Sequence, residues 1–276
     1  MKRIRKLAIL PTMFTLGNLV CGFFAIVIAA RVDKPGDVPH TIEFVARQDV
    51  FNCMLAGWLI ILAMIFDALD GHVARLTRTS SDFGAELDSL CDMVTFGVAP
   101  AFLLVKLCPK FTYLHNEAVW IIAATFAVCA ALRLARFNVE SGEDDDHMNF
   151  SGLPSPAAAS TVAGFAILFH SLLRENSTFN YAEQVYQFLQ TVLPFFTLCV
   201  AVLMVSRVRY PHLVNQFFRG HKSFNHLVAV VFTVVAVMLV RGYSLAIVST
   251  AFALSGPARY VWREIQQRTT REEPLY

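Results

Sequence analysis

The stretch "DALDGHVARLTRTSSDFGAELDSLCD", Asp67–Asp92, holds six acidic residues between two segments that suit a lipid bilayer. "VFNCMLAGWLIILAMIF" (50–66) precedes it and "MVTFGVAPAFLLVKL" (93–107) follows it. Ionisable side chains at the edge of a hydrocarbon layer are expensive, so they persist where something compensates their charge. How this window folds therefore decides both the architecture and the chemistry.

The flanks set the architecture. The chain has 276 residues, 56% of them hydrophobic and only 16% charged, with a mean hydropathy of +0.53. Soluble domains are about a quarter charged. Apolar runs long enough to cross a bilayer as a helix of about 20 residues recur along the chain. Eight are predicted, over about 7–30, 50–66, 90–107, 117–137, 153–173, 190–206, 226–240 and 243–258. Backbone amides in lipid must bond within their own segment or close into a barrel. Continuous apolar runs, unlike alternating ten-residue ones, select helices. The expectation is an all-α integral membrane protein with one membrane domain, 1–276. It divides into a six-helix core over about 7–206, a helical hairpin over about 226–258 and a polar tail, 259–276. The basic start and small residues near Ala29 resemble a signal peptide, but Pro11, Thr15 and Asn18 interrupt an overlong apolar run. The first helix is expected to be retained.

Most of the 23 Lys and Arg residues fall on the side that holds both termini and the acidic window. The positive-inside bias places that side in the cytoplasm, with the chain in the cytoplasmic (inner) membrane. A formal charge of +2 does not point to nucleic acid, and "RVRYPHLVNQFFRGHK" reads as a topology signal contacting anionic lipid. The six cysteines have no metal-type spacing and read as small buried hydrophobes. The acidic segment "ESGEDDDHMNFSG" (140–152) reads as a solvated loop, with a lid as the alternative.

Within the window, helix 2 is predicted to continue past Phe66, since "DALDGHVARL" contains no breaker except one Gly. At about 100° per residue, Asp67, Asp70, Gly71 and Ala74 share one face. A short turn at "TRTSS" leads to a helix starting near Asp82, where Gly84, Asp88 and Asp92 share another face. Two helices joined so closely are expected to be antiparallel neighbours, which brings four carboxylates together at the membrane edge. Such a group repels itself strongly and calls for cations. Hard divalent ions take oxygen ligands, so a two-metal centre for phosphoryl chemistry is expected. Gly71, Ala74 and Gly84 leave room for a flat ligand, and Arg75 is placed to meet a phosphate. Helix capping beside water would account for one or two acids, not for four; Asp82 and Glu86 point elsewhere and fit solvation or capping. His72 reads as a neighbour at the rim.

The pattern Asp67-x2-Asp70-Gly71-x2-Ala74-Arg75-x8-Gly84-x3-Asp88-x3-Asp92 resembles, without a departure, the signature of the CDP-alcohol phosphotransferases. These are integral membrane enzymes that move a phosphatidyl or phospho-alcohol group from a CDP-linked donor to an alcohol and release CMP. The resemblance implies that Asp67, Asp70 and Asp88 hold two divalent cations, Mg2+ or Mn2+. It implies that Asp92 completes the metal site and takes the proton of the attacking hydroxyl. Asp67, Gly71, Ala74, Arg75 and Gly84 would form the CDP site. The resemblance also implies a homodimer.

The acceptor depends on other segments. "LPTMFTLGNLVCGFFAI", "RLARFN" (133–138) and "GLPSPAAA" (152–159) are similar to the membrane-spanning phosphatidylserine synthases of bacteria and archaea. That resemblance implies CDP-diacylglycerol and L-serine as substrates. Arg133 and Arg136 would receive the serine carboxylate, and Asn138 and Ser155 would bond the zwitterion. Topology determination is the competing account of the arginines, and a helix N-cap that of Ser155. No histidine is followed two positions later by Lys, which leaves a covalent phosphohistidine route without support. Two alternatives remain: the same chemistry with glycerol 3-phosphate or inositol phosphate, and an ion or proton transporter. A transporter would favour acids near the midplane, in repeated halves.

Overall fold

A computed structural model describes residues 9–32, 42–77, 82–108, 116–140, 152–174, 182–208, 210 and 242–271. The helices are α1 (Ile9–Ala30), α2 (Ile42–Thr77), α3 (Asp82–Asp92), α4 (Ala99–Leu107), α5 (Asn116–Glu140), α6 (Ser155–Arg174), α7 (Ala182–Val205) and α8 (Tyr243–Arg271). There is no strand among the described residues.

Six helical stretches are long and apolar enough to cross a membrane: Pro11–Ala30, Gln48–Ala74, Phe83–Leu107, Glu117–Val139, Ser155–Arg174 and Gln184–Val205. They coincide with the first six predicted spans. The seventh, 226–240, lies outside the described residues, as does most of the acidic segment 140–152. The eighth, 243–258, is the first half of α8, whose remainder is polar, and α8 is not among the six.

Small residues let the helices approach closely, as is usual where lipid removes the hydrophobic drive for association. α1 packs along α2, α2 along α6, α6 against α8, and α5 against α7. Ala25, Ala29, Ala56, Ala63, Ala159 and Ala163 are buried at or near these contacts. Gly57 leaves just enough room for the Ala163 carbonyl of α6. Phe23, Trp58, Trp120, Phe188, Phe195 and Val202 remain exposed, as expected of side chains facing acyl chains. Cys21, Cys53, Cys91 and Cys108 are buried as predicted, but Cys199 is exposed on α7; all six are free thiols.

α3 passes into α4 without a break, through a π-helical stretch, Met93–Val98, in which the Ala99 amide bonds back to the Val94 carbonyl. Together they form the most enclosed of the six spans. Among the described residues α2 and α3 both pack on α1, and their backbones approach each other closely at few points, yet their acidic faces meet as expected. At the base of α6, Gly152 adopts φ +97, with its amide bonded to Val208 O at 2.9 Å. Leu153 bonds to Leu203 O at 3.0 Å. The end of α7 thus clasps the approach to Ser155. Tyr210 packs on Gly256 and donates to Ala253 O at 2.8 Å, holding α8 against this end.

Candidate active site

α2 runs unbroken to Thr77, which carries Asp67 and Asp70 onto one face beyond Phe66. α3 starts at Asp82 and presents Asp88. One carboxylate oxygen from each of Asp67, Asp70 and Asp88 lies within 4.8 Å of the other two. Asp70 is buried and the other two are half-buried. On α1, Thr15 stands beside Asp70, its hydroxyl donating to the Pro11 carbonyl at 3.1 Å. Oδ2 of Asp70 and Oδ1 of Asp88 are nonetheless buried without a hydrogen-bond partner.

At this spacing two carboxylates repel by roughly 3–4 kcal/mol at an effective dielectric of about 20. An oxygen-only group with unsatisfied acceptors, and no cationic side chain bonded to it among the described residues, has the donor chemistry of a hard divalent cation site. The residues fit such an ion.

Asp92 stands outside this trio, one turn further along α3, though Asp67, Asp88 and Asp70 all act on it electrostatically. Its Oδ1 accepts a hydrogen bond from Asn18 Nδ2 at 2.9 Å. Gly71, Ala74 and Gly84 are half-buried on the predicted faces, while His72 and Glu86 are exposed. The side chain of Arg75 lies outside the described residues.

A second polar layer lies behind the carboxylates. Arg133, on α5, donates to Ser155 Oγ at 2.8 Å and is in electrostatic reach of Asp92 and Asp67. Arg136 instead donates to Val205 O at 2.9 Å, at the end of α7. Asn138 exchanges a hydrogen bond with Ser89, 3.0 Å away on α3 and adjacent to Asp88. The structure thus brings Arg133 and Ser155 together near the acids and gives Arg136 and Asn138 partners within the protein. In the sequence Asn18 and Thr15 stand out only as interruptions of an apolar run. Buried polar residues inside a spanning helix were the available signal of a role at the site.

Carboxylates converging from two spans of a helical membrane protein give the oxygen donor set of a divalent-cation site, the kind that phosphoryl-transfer enzymes use. Residues 8–203 match the family described as CDP-alcohol phosphatidyltransferase, and the chain belongs to this family. It is 40% identical over 160 residues to a protein named CDP-diacylglycerol–serine O-phosphatidyltransferase of Methanocaldococcus jannaschii, covering 58% of this chain and 65% of that one. A like-named protein of Helicobacter pylori is 32% identical over 212 residues, covering 76% and 74%. The archaetidylserine synthase of Methanothermobacter thermautotrophicus is 32% identical over 215 residues, covering 77% and 73%.

Proposed function

We propose that the chain transfers the phosphatidyl group of CDP-diacylglycerol to the hydroxyl of L-serine, forming phosphatidylserine and releasing CMP. The observation that carries this reading is the convergence of Asp67, Asp70 and Asp88 oxygens within 4.8 Å. Asp67, Asp70 and Asp88 hold two divalent cations, Mg2+ or Mn2+, with Asp92 at the edge of the site. When bound, these cations supply positive charge to the diphosphate and to the departing CMP. Gly71, Ala74 and Gly84, with Asp67, line the cytidine site, and Arg75 holds the diphosphate. Asp92 takes the serine hydroxyl proton as the oxygen attacks the lipid-linked phosphorus. The new P–O bond forms as the bond to the CMP oxygen breaks.

Serine as acceptor is supported by the Arg133–Ser155 pair, a cation and a hydroxyl set behind the acids where a zwitterion can be received. The relatives' names agree on serine while differing in the lipid. The site and both termini face the cytoplasm of the inner membrane, CDP-diacylglycerol enters laterally, and the chain works as a homodimer. The core, 7–206, carries the chemistry; the residues beyond it, α8 among them, are additions to it.

The test is CMP release from CDP-diacylglycerol by purified protein, offered L-serine, glycerol 3-phosphate or inositol phosphate, with and without chelator. Release requiring both L-serine and Mg2+ or Mn2+ supports the reading. Release with another alcohol alone reassigns the acceptor, and release unaffected by chelator removes the metal site.

A further inference from the structure

Asn18 sits on α1, a helix that contributes none of the four carboxylates, and it is fully buried. An amide in that position is costly unless bonded. Its Nδ2 meets Asp92 Oδ1 across 74 residues of chain. The orientation of the amide follows from its partner, since an ionised carboxylate only accepts and the NH2 side must face it.

The Asn18 backbone is itself held. Its carbonyl accepts a hydrogen bond from Thr95 Oγ1 at 3.2 Å, and Thr95 is buried within the π-helical stretch. The approach depends on Gly22, one turn along α1. A Cβ there would overlap the Thr95 hydroxyl and backbone. Three residues therefore form a clamp. A bare glycine brings α1 against the wide turn, Thr95 pins the α1 backbone at Asn18, and the Asn18 amide pins one oxygen of Asp92.

The terminal torsion of an aspartate is broad and set by its hydrogen bonds. Fixing Oδ1 leaves Oδ2 as the oxygen available to a hydroxyl and sets its direction. We infer that Asn18 is a positioning residue, which orients Asp92 so that the oxygen not bonded to Asn18 meets the attacking hydroxyl. The inference rests on the proposed role of Asp92 as the base.

The experiment uses the full chain and compares Asn18→Leu, Asp92→Asn and the double variant, with titration of CMP and Mn2+ binding alongside turnover. Asn18→Leu keeps the number and branching of the side chain's heavy atoms and removes the donor. Its kcat is expected to fall about 100-fold, the scale of a small misplacement at a reacting centre. KM for both substrates and the CMP and Mn2+ affinities stay within about threefold. In the Asp92→Asn background the same change costs less than about threefold, because residues acting as a unit are not additive. Thr95→Val should lower kcat about tenfold, while Thr95→Ser retains most of it.

Full additivity, a proportional loss of CMP and Mn2+ binding, or unchanged kcat in Asn18→Leu overturns the inference. If Asn18→Leu does not fold, equal kcat in the two Thr95 variants overturns it and the expected difference supports it. Retained turnover in Asp92→Asn defeats the base assignment and this inference with it. Loss in Asp92→Asn without loss in Asn18→Leu defeats this inference alone. Should another alcohol prove to be the acceptor, the same comparisons are made with it.

Discussion

Arg133 donates a hydrogen bond to the Ser155 hydroxyl at 2.8 Å, joining the C-terminal half of α5 to the first residue of α6. The same guanidinium acts on Asp92 and Asp67, so it links a proposed acceptor subsite to the carboxylates. Replacing it with lysine keeps the charge and discards the planar fork. Arg133→Lys is expected to raise the KM for L-serine about tenfold, with the KM for CDP-diacylglycerol changed less than about twofold. Ser155→Ala should give a smaller rise, about threefold, on the same measurement. A fall in kcat alone, with serine KM unmoved, would count against the assignment.

Each of Asp67→Asn, Asp70→Asn and Asp88→Asn removes a charged oxygen from the trio. Even supporting residues around a metal typically cost 10–100-fold when changed. Turnover should therefore fall by more than about 100-fold in each variant. Chelator should abolish parental turnover, and added Mn2+ or Mg2+ should restore it. Paramagnetic resonance of Mn2+ reads the binding directly. Parental Mn2+ binding in all three variants would show that the trio is not the ligand set.

Gly152 carries φ +97, and a Cβ added to it would run into the Met204 carbonyl. Gly152→Ala is expected to cost on the order of 1–3 kcal/mol and to lower the thermal midpoint in detergent. Because the clasp leads directly to Ser155, serine KM should rise in the same variant. An unchanged midpoint would mean that the clasp contributes nothing.

Tyr210→Phe removes the hydroxyl that bonds Ala253 O and leaves a buried acceptor unpaired, a loss of about 1–3 kcal/mol. Burial pushes the Tyr210 phenol up to about 12. With the folded value above the ordinary one of about 10, this contribution is fully present below about pH 10. It is lost only as pH climbs through 12. The difference in midpoint between parent and variant should therefore be flat from about pH 6 to 9. A difference that collapses within that range would exclude the phenol as its source.

Much of this arrangement could be read from residues alone. The continuation of α2 past Phe66 followed from the lack of a breaker, and the start of α3 at Asp82 from the turn before it. The convergence of Asp67, Asp70 and Asp88 followed from helical spacing applied to two segments that must lie near each other. Spacing could not reveal the Asn18–Asp92 bond, because a contact spanning 74 residues depends on which face α1 turns inward. Nor could it assign Arg136 to Val205 O or Asn138 to Ser89, since the same donors suit a substrate equally well. A short connection brings the two acidic faces together without dictating how closely the backbones approach, and here each helix also packs on α1.

The wide turn at Met93–Val98 was also invisible in the amino-acid pattern, because it is a slip of backbone bonding rather than a change in residue type. Its consequence is historical as much as mechanical. Such a turn accommodates one residue more than a regular helix, so deleting one there would restore ordinary winding. A deletion in the regular helix on either side has no such slack, and everything downstream would rotate by about 100° relative to the acids upstream. Either the carboxylates would face away from α1, or the apolar stripe of α4 would turn away from its neighbours. Substitutions in the flanking helices can accumulate singly, but a change in their length would have to be compensated at once, and the wide turn is where such compensation is available.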